Sequence, residues 1–468
     1  QKRIHILGVA GTLMGAFAAY LKRAGIFVTG SDQNIYPPMS DVLKSANVEV
    51  FSPFAPGNLD RAKPDLVIVG NVIRKVNPEM QAVLDRGIPY MSLPQALETM
   101  VLPEKHSIVV AGTHGKTTTT SILAWMLEQL GESPSFFVGG VLRNFPESFR
   151  VTDSRYMVLE GDEYDTAFFD KVPKFTHYCP KDVILTSVEY DHADIYPDIN
   201  SLIRAFDKLA ELTSPEGFFI ACAEYETPLR IAHQSKATVL TYGFGAGVDS
   251  RATHVDLSAS GATFRWQIQN KEYRVKLTTP GKHNLLNALA CLTLAHARQW
   301  DVEKAIAALS SYQGVKRRQE IFGQAQGITL IDDFAHHPTA VRETLSAIRA
   351  KYPESRIVAC FEPRSATSRR RVFQQAYTES FDLADAIYVA KPYEPAGAPA
   401  QTSQPDIFST EELVQDLAKR GKKAKLLATN EPAVRAFSRE LKTGDIVLVM
   451  SNGSFDGLLP RLLSTLSE

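Results

Sequence analysis

Residues 109–123, VVAGTHGKTTTTSIL, hold the densest chemistry in the chain. Gly112, Thr113, His114, Gly115, Lys116, Thr117 and Thr118 lie between a β-branched strand and a helical stretch from Thr119 to Leu130. That order sets backbone N–H groups and the positive end of a helix where a polyphosphate would lie. Lys116 is placed to reach the β- and γ-phosphates of a nucleotide, and the Thr117 hydroxyl to ligate Mg2+. The spacing is unusual. A Walker A loop has four residues between its first glycine and its Gly-Lys pair; here that first position is Val110, so the loop is shortened. The plain alternative is a turn capping an ordinary helix. Four consecutive threonines are poor helix formers, and a lysine beside the turn has no structural purpose, so phosphate binding is favoured.

Further polar clusters follow other apolar runs. LEGDEYDTAFFD places Glu160, Asp162, Glu163 and Asp165 after a strand. These acids repel one another unless a cation is near, and they suit an oxygen-liganded Mg2+ as well as a solvated loop. SVEYDHADIY puts His192 between Asp191 and Asp194. GKHNLLNALA offers His283, Asn284 and Asn287 at the start of an apolar helix. The two asparagines share a face and could bond an adenine edge, although simple N-capping by Asn284 explains that residue equally. GVKRRQE carries Arg317 and Arg318, and DDFAHHP carries Asp333, His336 and His337; for the latter, a metal site is a rival to substrate binding. At the N-terminus, GVAGTLMG has Ala10 and Leu13 where a dinucleotide fingerprint has glycines, so a pyrophosphate loop fits better than a nicotinamide site. Asp32, after the next strand, suits a hydroxyl or base edge. No Ser-His-Asp or Cys-His pattern is present.

The elements that must hold these residues alternate in type. IHILG, IFVTG and DLVIVG read as parallel strands of a first block, ending near residue 104. SIVVAG, YMVLEG, VILTSV and GFFIAC form a second, followed by a hairpin over 262–279 turning at Asn270-Lys271 and by the helix LLNALACLTLAHA. GITLID, RIVACF, AIYVAK, KLLAT and DIVLVM make a third, with helices at 338–350 and 431–441 and a long loop at 392–405. The reading is α/β with three lobes: 1–104, 105–315 and 316–468. In open α/β sheets, ligands sit beyond the carboxyl ends of the strands, which is where every cluster above falls. The 468 residues are too long for one core. A net charge of −1 argues against nucleic acid, and no apolar run reaches spanning length. Cys179, Cys222, Cys291 and Cys360 are far apart, without metal spacing, and read as buried thiols of a cytoplasmic protein.

Taken in order, these motifs resemble the Mur ligase family across nearly the whole chain. Its shortened loop, G-T-x-G-K-T-T, is met by Gly112 to Thr118, and its other signatures by Glu160, Asp191-His192, GKHNLLN, Arg318 and DDFAHHP. The resemblance implies a Rossmann-like N-terminal domain, a P-loop central domain with a small antiparallel sheet, and a Rossmann-like C-terminal domain. It implies ATP and Mg2+, with Lys116, Glu160, His192 and Arg318 as catalytic residues and Thr117, Glu160 and His192 as metal ligands. Gly112 to Thr118, Asn284, Asn287, Arg318 and Asp333 would bind ATP. Gly11, Ser31, Asp32, Asn71, Gly140 and Asn144 would hold a UDP-sugar, and His336, Arg364, Ser365 and Asn452 a peptide. GSDQNIYPPMS, VGGVLRNF, FEPRSAT and MSNGSFDG are similar to members that join UDP-N-acetylmuramate to the murein tripeptide L-Ala-γ-D-Glu-meso-diaminopimelate, rather than to L-alanine. Some members hold Mg2+ with a carbamylated lysine; the spacing after His192 brings Asp207 or Lys208 near that place, which speaks against a carbamate. A monomer or weak homodimer is expected, with no nucleic-acid or membrane partner.

Overall fold

The computed structural model describes residues 2–36, 39–258, 260–393 and 407–468, so most of the loop expected at 392–405 lies outside the described residues. Among the described residues three large sheets follow one another along the chain, with a two-stranded ribbon, Asp165–Ala167 and Asp170–Pro173, besides them. The first has five parallel strands in the order Glu49–Phe51, Phe27–Ser31, Arg3–Leu7, Leu66–Val69 and Tyr90–Ser92. Leu7 pairs with both Ser31 and Val69, so the strands end level and their loops leave from one edge.

The central sheet has ten strands. Its middle is the parallel run Phe218–Cys222, Asp182–Leu185, His106–Ala111, Tyr156–Gly161 and Ser135–Phe137. Beyond Phe218–Cys222 come Thr238–Gly243 and then Ser250–Ser258, Gly261–Ile268 and Lys271–Leu277, the last two pairs antiparallel. Ile268 pairs with Lys271, so the hairpin turns on Gln269 and Asn270, one residue earlier than the sequence pattern indicated. Gln269 takes the positive φ such a two-residue turn requires, 51°. The third sheet runs Glu320–Ala325, Ile328–Asp333, Ile446–Met450, Ile357–Phe361, Ala386–Ala390 and Lys423–Leu427, parallel except for the first.

Amphipathicity explains what the helices do. The helix Lys282–Ala297, KHNLLNALACLTLAHA, is apolar all round and is buried along nearly its whole length. A helix of that kind must be covered on every side. It packs on the central sheet, on the phosphate-loop helix Lys116–Gln129 and on Val302–Leu309. Its N-cap is Gly281 rather than Asn284, whose side chain donates to the Pro280 carbonyl. Cys222, Cys291 and Cys360 are buried as expected; Cys179 is exposed.

Aromatic contacts join the lobes. Phe17 meets Phe149 edge-on at 5.9 Å between centroids, and Tyr90 meets Phe169 at 4.8 Å. Such pairs add about 0.5–1.5 kcal/mol beyond area burial. Arg143 reaches Glu320 at 2.6 Å across the central and C-terminal sheets. Among the described residues no helix is long and apolar enough to cross a membrane.

Candidate active site

Strand ends of all three sheets open onto one cavity of about 1030 Å³. Asn71 lines it from the first sheet, Lys116, Glu160 and His192 from the second, and His336 and Asn452 from the third.

The phosphate loop is built by its glycines. Gly115 has φ 82° and precedes the helix Lys116–Gln129, and a Cβ there would meet Asn287 Oδ1 at 2.6 Å. Gly112 has φ 131°, and a side chain would strike Thr186 and the Ser187 backbone. The helix has no side-chain cap, so first-turn N–H groups face the cavity, the arrangement that binds anions. Gly112 itself is packed behind the loop, while Thr113 to Thr118 line the cavity.

Lys116 folds back on its own loop. Its Nζ donates to the Gly112 carbonyl at 2.6 Å and pairs with Glu163 at 2.8 Å. Burial opposes its charge, but Glu163, Asp162 and Glu160 together raise the ammonium above its ordinary value. Glu163 is likewise held ionised, below its ordinary value, by Lys116 and His192 in spite of burial. Thr117 Oγ1 donates to Glu160 at 2.6 Å, and the other Glu160 oxygen accepts from the Gly139 N–H at 2.6 Å. Burial and the nearby Asp162 raise the Glu160 carboxyl.

Of the three expected metal ligands, Thr117 and Glu160 therefore meet directly. His192 instead lies 3.4 Å from Glu163. Burial works against its cation, but Glu163 and Asp191 raise the imidazole above its ordinary value. Lys208 is half-exposed and pairs with Glu211, and Asp207 does not line the cavity. Lys174, which sequence reading left without a role, is buried beside Asp162 at 3.0 Å and Tyr164 at 2.8 Å, at the cavity wall.

At another wall of the cavity Asn284, Asn287, Arg318 and Asp333, the residues expected to bind ATP, come together with His283 and Gln319. His283 Nδ1 and Gln319 Oε1 are buried without a partner, which leaves two polar atoms for a base or ribose. Burial and Arg318 keep His283 neutral, with its pKa lowered to about 4. Asp333 accepts from the Ala335 and Gln319 N–H groups at 2.8 Å, which shapes the loop around the Arg318 guanidinium.

Several expected sugar and peptide residues are used otherwise. Gly11, Asn71 and Gly140 line the cavity. Ser31 points into a buried network, donating to Glu79 at 2.8 Å. Asp32 accepts from the Ala10 N–H at 2.9 Å and so braces the first loop from behind. Asn144 donates to the Ser311 carbonyl and accepts from the Gln313 N–H, and does not line the cavity. His336, Ser365 and Asn452 line it, the last with Oδ1 unpartnered. Arg364 lies against Gly453 and over the Tyr393 ring, 3.6 Å from its centroid, with Nη1 buried.

Three Rossmann-like and P-loop lobes around one charged, thiol-poor cavity define a nucleotide-dependent ligase architecture. The sequence matches bear this out: residues 3–104 match the family described as Mur ligase family, catalytic domain; 110–295 the Mur ligase middle domain; and 317–453 the Mur ligase, glutamate ligase domain. A UDP-N-acetylmuramate–L-alanyl-γ-D-glutamyl-meso-2,6-diaminoheptandioate ligase of Escherichia coli K12 is 38% identical, over 100% of this chain and 98% of its own. A UDP-N-acetylmuramate–L-alanine ligase of Clostridium tetani is 33% identical, over 97% and 96%. The crystal structure of a murein peptide ligase from Psychrobacter arcticus superposes with a TM-score of 0.74 at 33% identity, covering 100% and 99% of the two chains. The chain belongs to the Mur ligase family.

Proposed function

We propose that this protein joins the lactyl carboxylate of UDP-N-acetylmuramate to the amine of L-Ala-γ-D-Glu-meso-diaminopimelate, at the cost of ATP. The observation that carries the reading is the convergence of the loop cation, Lys116, with the junction arginine, Arg318, and the Thr117–Glu160 pair in one cavity. Such a site serves two anions that must meet, not a covalent protein nucleophile. Among the described residues lining the cavity the only thiol is Cys222, whose pKa burial pushes up to about 11.

In this reading residues 1–104 hold the UDP-sugar at Gly11, Asn71 and Gly140, residues 105–315 the ATP, and residues 316–468 the peptide near His336, Ser365 and Asn452. The sugar's carboxylate attacks the γ-phosphorus, ADP leaves, and an acyl phosphate forms on the substrate. The peptide amine then attacks the acyl carbon, the amide forms, and phosphate departs with the amine's proton released. Lys116 exchanges Glu163 for phosphate oxygens, and Arg318 faces the charge that develops on them. Thr117 and Glu160 would supply oxygen donors that suit Mg2+, with His192 as the third ligand of the set, and the ionised Glu163 beside them fits a divalent cation. Bound there, the ion would spread phosphate charge. His283, Gln319, Asn284 and Asn287 orient the nucleotide. Closure of the lobes excludes the water that would hydrolyse the acyl phosphate. A cytoplasmic location follows from this reading, since ATP and the nucleotide sugar are available there.

The test is phosphate release from Mg-ATP and UDP-N-acetylmuramate with either the tripeptide or L-alanine. Release with the tripeptide alone is expected; release with L-alanine would move the chain to the specificity of the Clostridium tetani relative.

A further inference from the structure

One cluster of metal-binding side chains borders the cavity but shares no residue with the set Thr117, Glu160 and His192. His114 Nε2 lies 3.1 Å from Glu189 Oε2, and His337 Nδ1 lies 3.6 Å from the same oxygen. The three donor atoms fall within 4.8 Å of one another, the only such trio among the described residues. They come from three places: the phosphate loop, the loop after strand Asp182–Leu185, and the N-cap of the helix Pro338–Lys351 in the C-terminal lobe. The imidazole planes are tilted by 52° with centroids 4.7 Å apart, so both rings turn toward the carboxylate without stacking flat.

We propose that His114, Glu189 and His337 bind a divalent cation of the Zn2+ class, which clamps the phosphate loop to the C-terminal lobe. Zn–N and Zn–O bonds of about 2.0–2.1 Å put neighbouring donors of a tetrahedron roughly 3.3 Å apart. Two edges of the trio are already near that length, and the third is no longer than 4.8 Å. The donor set, two imidazoles and one carboxylate, prefers zinc over magnesium, which keeps oxygen ligands and water. The supporting contacts are of the kind that orient metal ligands. His337 Nε2 lies 3.2 Å from the Tyr190 carbonyl, which can only accept, so the ring proton sits there and Nδ1 presents its lone pair. In the absence of metal that lone pair accepts the Thr339 N–H at 3.2 Å, the N-cap bond of the helix, which a metal would replace. Thr339 Oγ1 donates to Glu189 at 2.6 Å and steadies the carboxylate. Burial and His114 hold His337 neutral, lowered to about 4, and Glu189 is ionised, lowered to about 2 by the hydrogen bonds it accepts from His114 and Thr339 in spite of burial; the metal would take the place of the His114 Nε2 proton. A fourth position opens on a separate cavity of about 220 Å³ between Tyr190, Arg342 and Phe373, room for water.

The Mg2+ donors Thr117, Glu160 and His192 are a different set, and the test separates the two. Co2+ is titrated into the full-length protein in excess Mg2+, with visible absorption as the readout. One equivalent is expected to give the intense bands of four-coordinate Co2+, bleached by Zn2+. Glu189→Gln should weaken binding at least tenfold, and His337→Asn, which keeps an N-cap side chain, should do the same. His192→Ala should leave the bands in place. Unfolding in urea confirms that each variant is native. Weak six-coordinate absorption, or bands lost in His192→Ala and kept in Glu189→Gln, would overturn the proposal and leave the trio a hydrogen-bonded latch.

Discussion

Two clusters of ionisable side chains sit inside this chain, and they have opposite fates. In the N-terminal sheet His5 and Glu79 are fully buried and 2.8 Å apart. Thr29 bonds the other imidazole nitrogen, Ser31 and Asn58 bond Glu79, and the Ala55 N–H caps the remaining carboxylate oxygen. Every polar atom is spent inside. In the central sheet Glu160 and Glu163 are buried too, but Lys116, Glu160 and His192 line the cavity, and Glu163 behind them holds Lys116 and His192 only until a ligand arrives. Burial and charge alone do not mark a site; access to a cavity with exchangeable partners does.

Four measurements would break or sharpen that comparison. The largest effect is expected at Lys116→Ala: a fall of about 10³-fold in kcat, about 4 kcal/mol of barrier, with the urea midpoint little changed. A collapse of stability instead would make the central cluster structural as well. Next comes Glu79→Ala, which leaves His5 and Asn58 buried without their partner. About 3–5 kcal/mol of stability should go, while kcat of the protein still folded in the cold stays within about twofold.

The third concerns pH. His192 has a raised pKa in the folded protein, so its pairing with Glu163 stabilises fully below the ordinary imidazole value and is lost as pH rises through the raised one. A metal ligand must be deprotonated. Mg2+ affinity, measured calorimetrically with a non-hydrolysable nucleotide, should therefore rise by up to about tenfold per pH unit to that point and then level off. A flat profile removes His192 from the metal site. The smallest effect is expected at Asn144→Ala, where two hydrogen bonds to the 311–313 turn are lost: about 1–2 kcal/mol of stability, with the KM for the UDP-sugar unmoved. A raised KM would return Asn144 to the sugar site.

Local order was legible from the residues. Apolar runs bounded by Gly, Asp and Asn gave the strands Arg3–Leu7, His106–Ala111, Tyr156–Gly161 and Ile328–Asp333 nearly to the residue, because parallel strands are buried on both faces. The strands Thr238–Gly243, Ser250–Ser258 and Glu320–Ala325 escaped notice, being half-polar and half-exposed at sheet margins. The phosphate loop was equally plain, since its chemistry lies within seven consecutive residues and its glycines are demanded by backbone geometry.

What the sequence alone determined, then, is whatever acts over short range: the loop, the strand-end acids and histidines, and the family to which their order belongs. What only the tertiary structure decided is which distant side chains meet. Spacing could not say that Glu163 holds both Lys116 and His192, or that Ser31 and Asp32 face away from the cavity. Nor could it say that His337 turns to His114 and Glu189 rather than to Asp333. Side-chain direction at a strand end depends on the loop's φ/ψ and on the neighbouring lobe packed against it, and no local pattern encodes either.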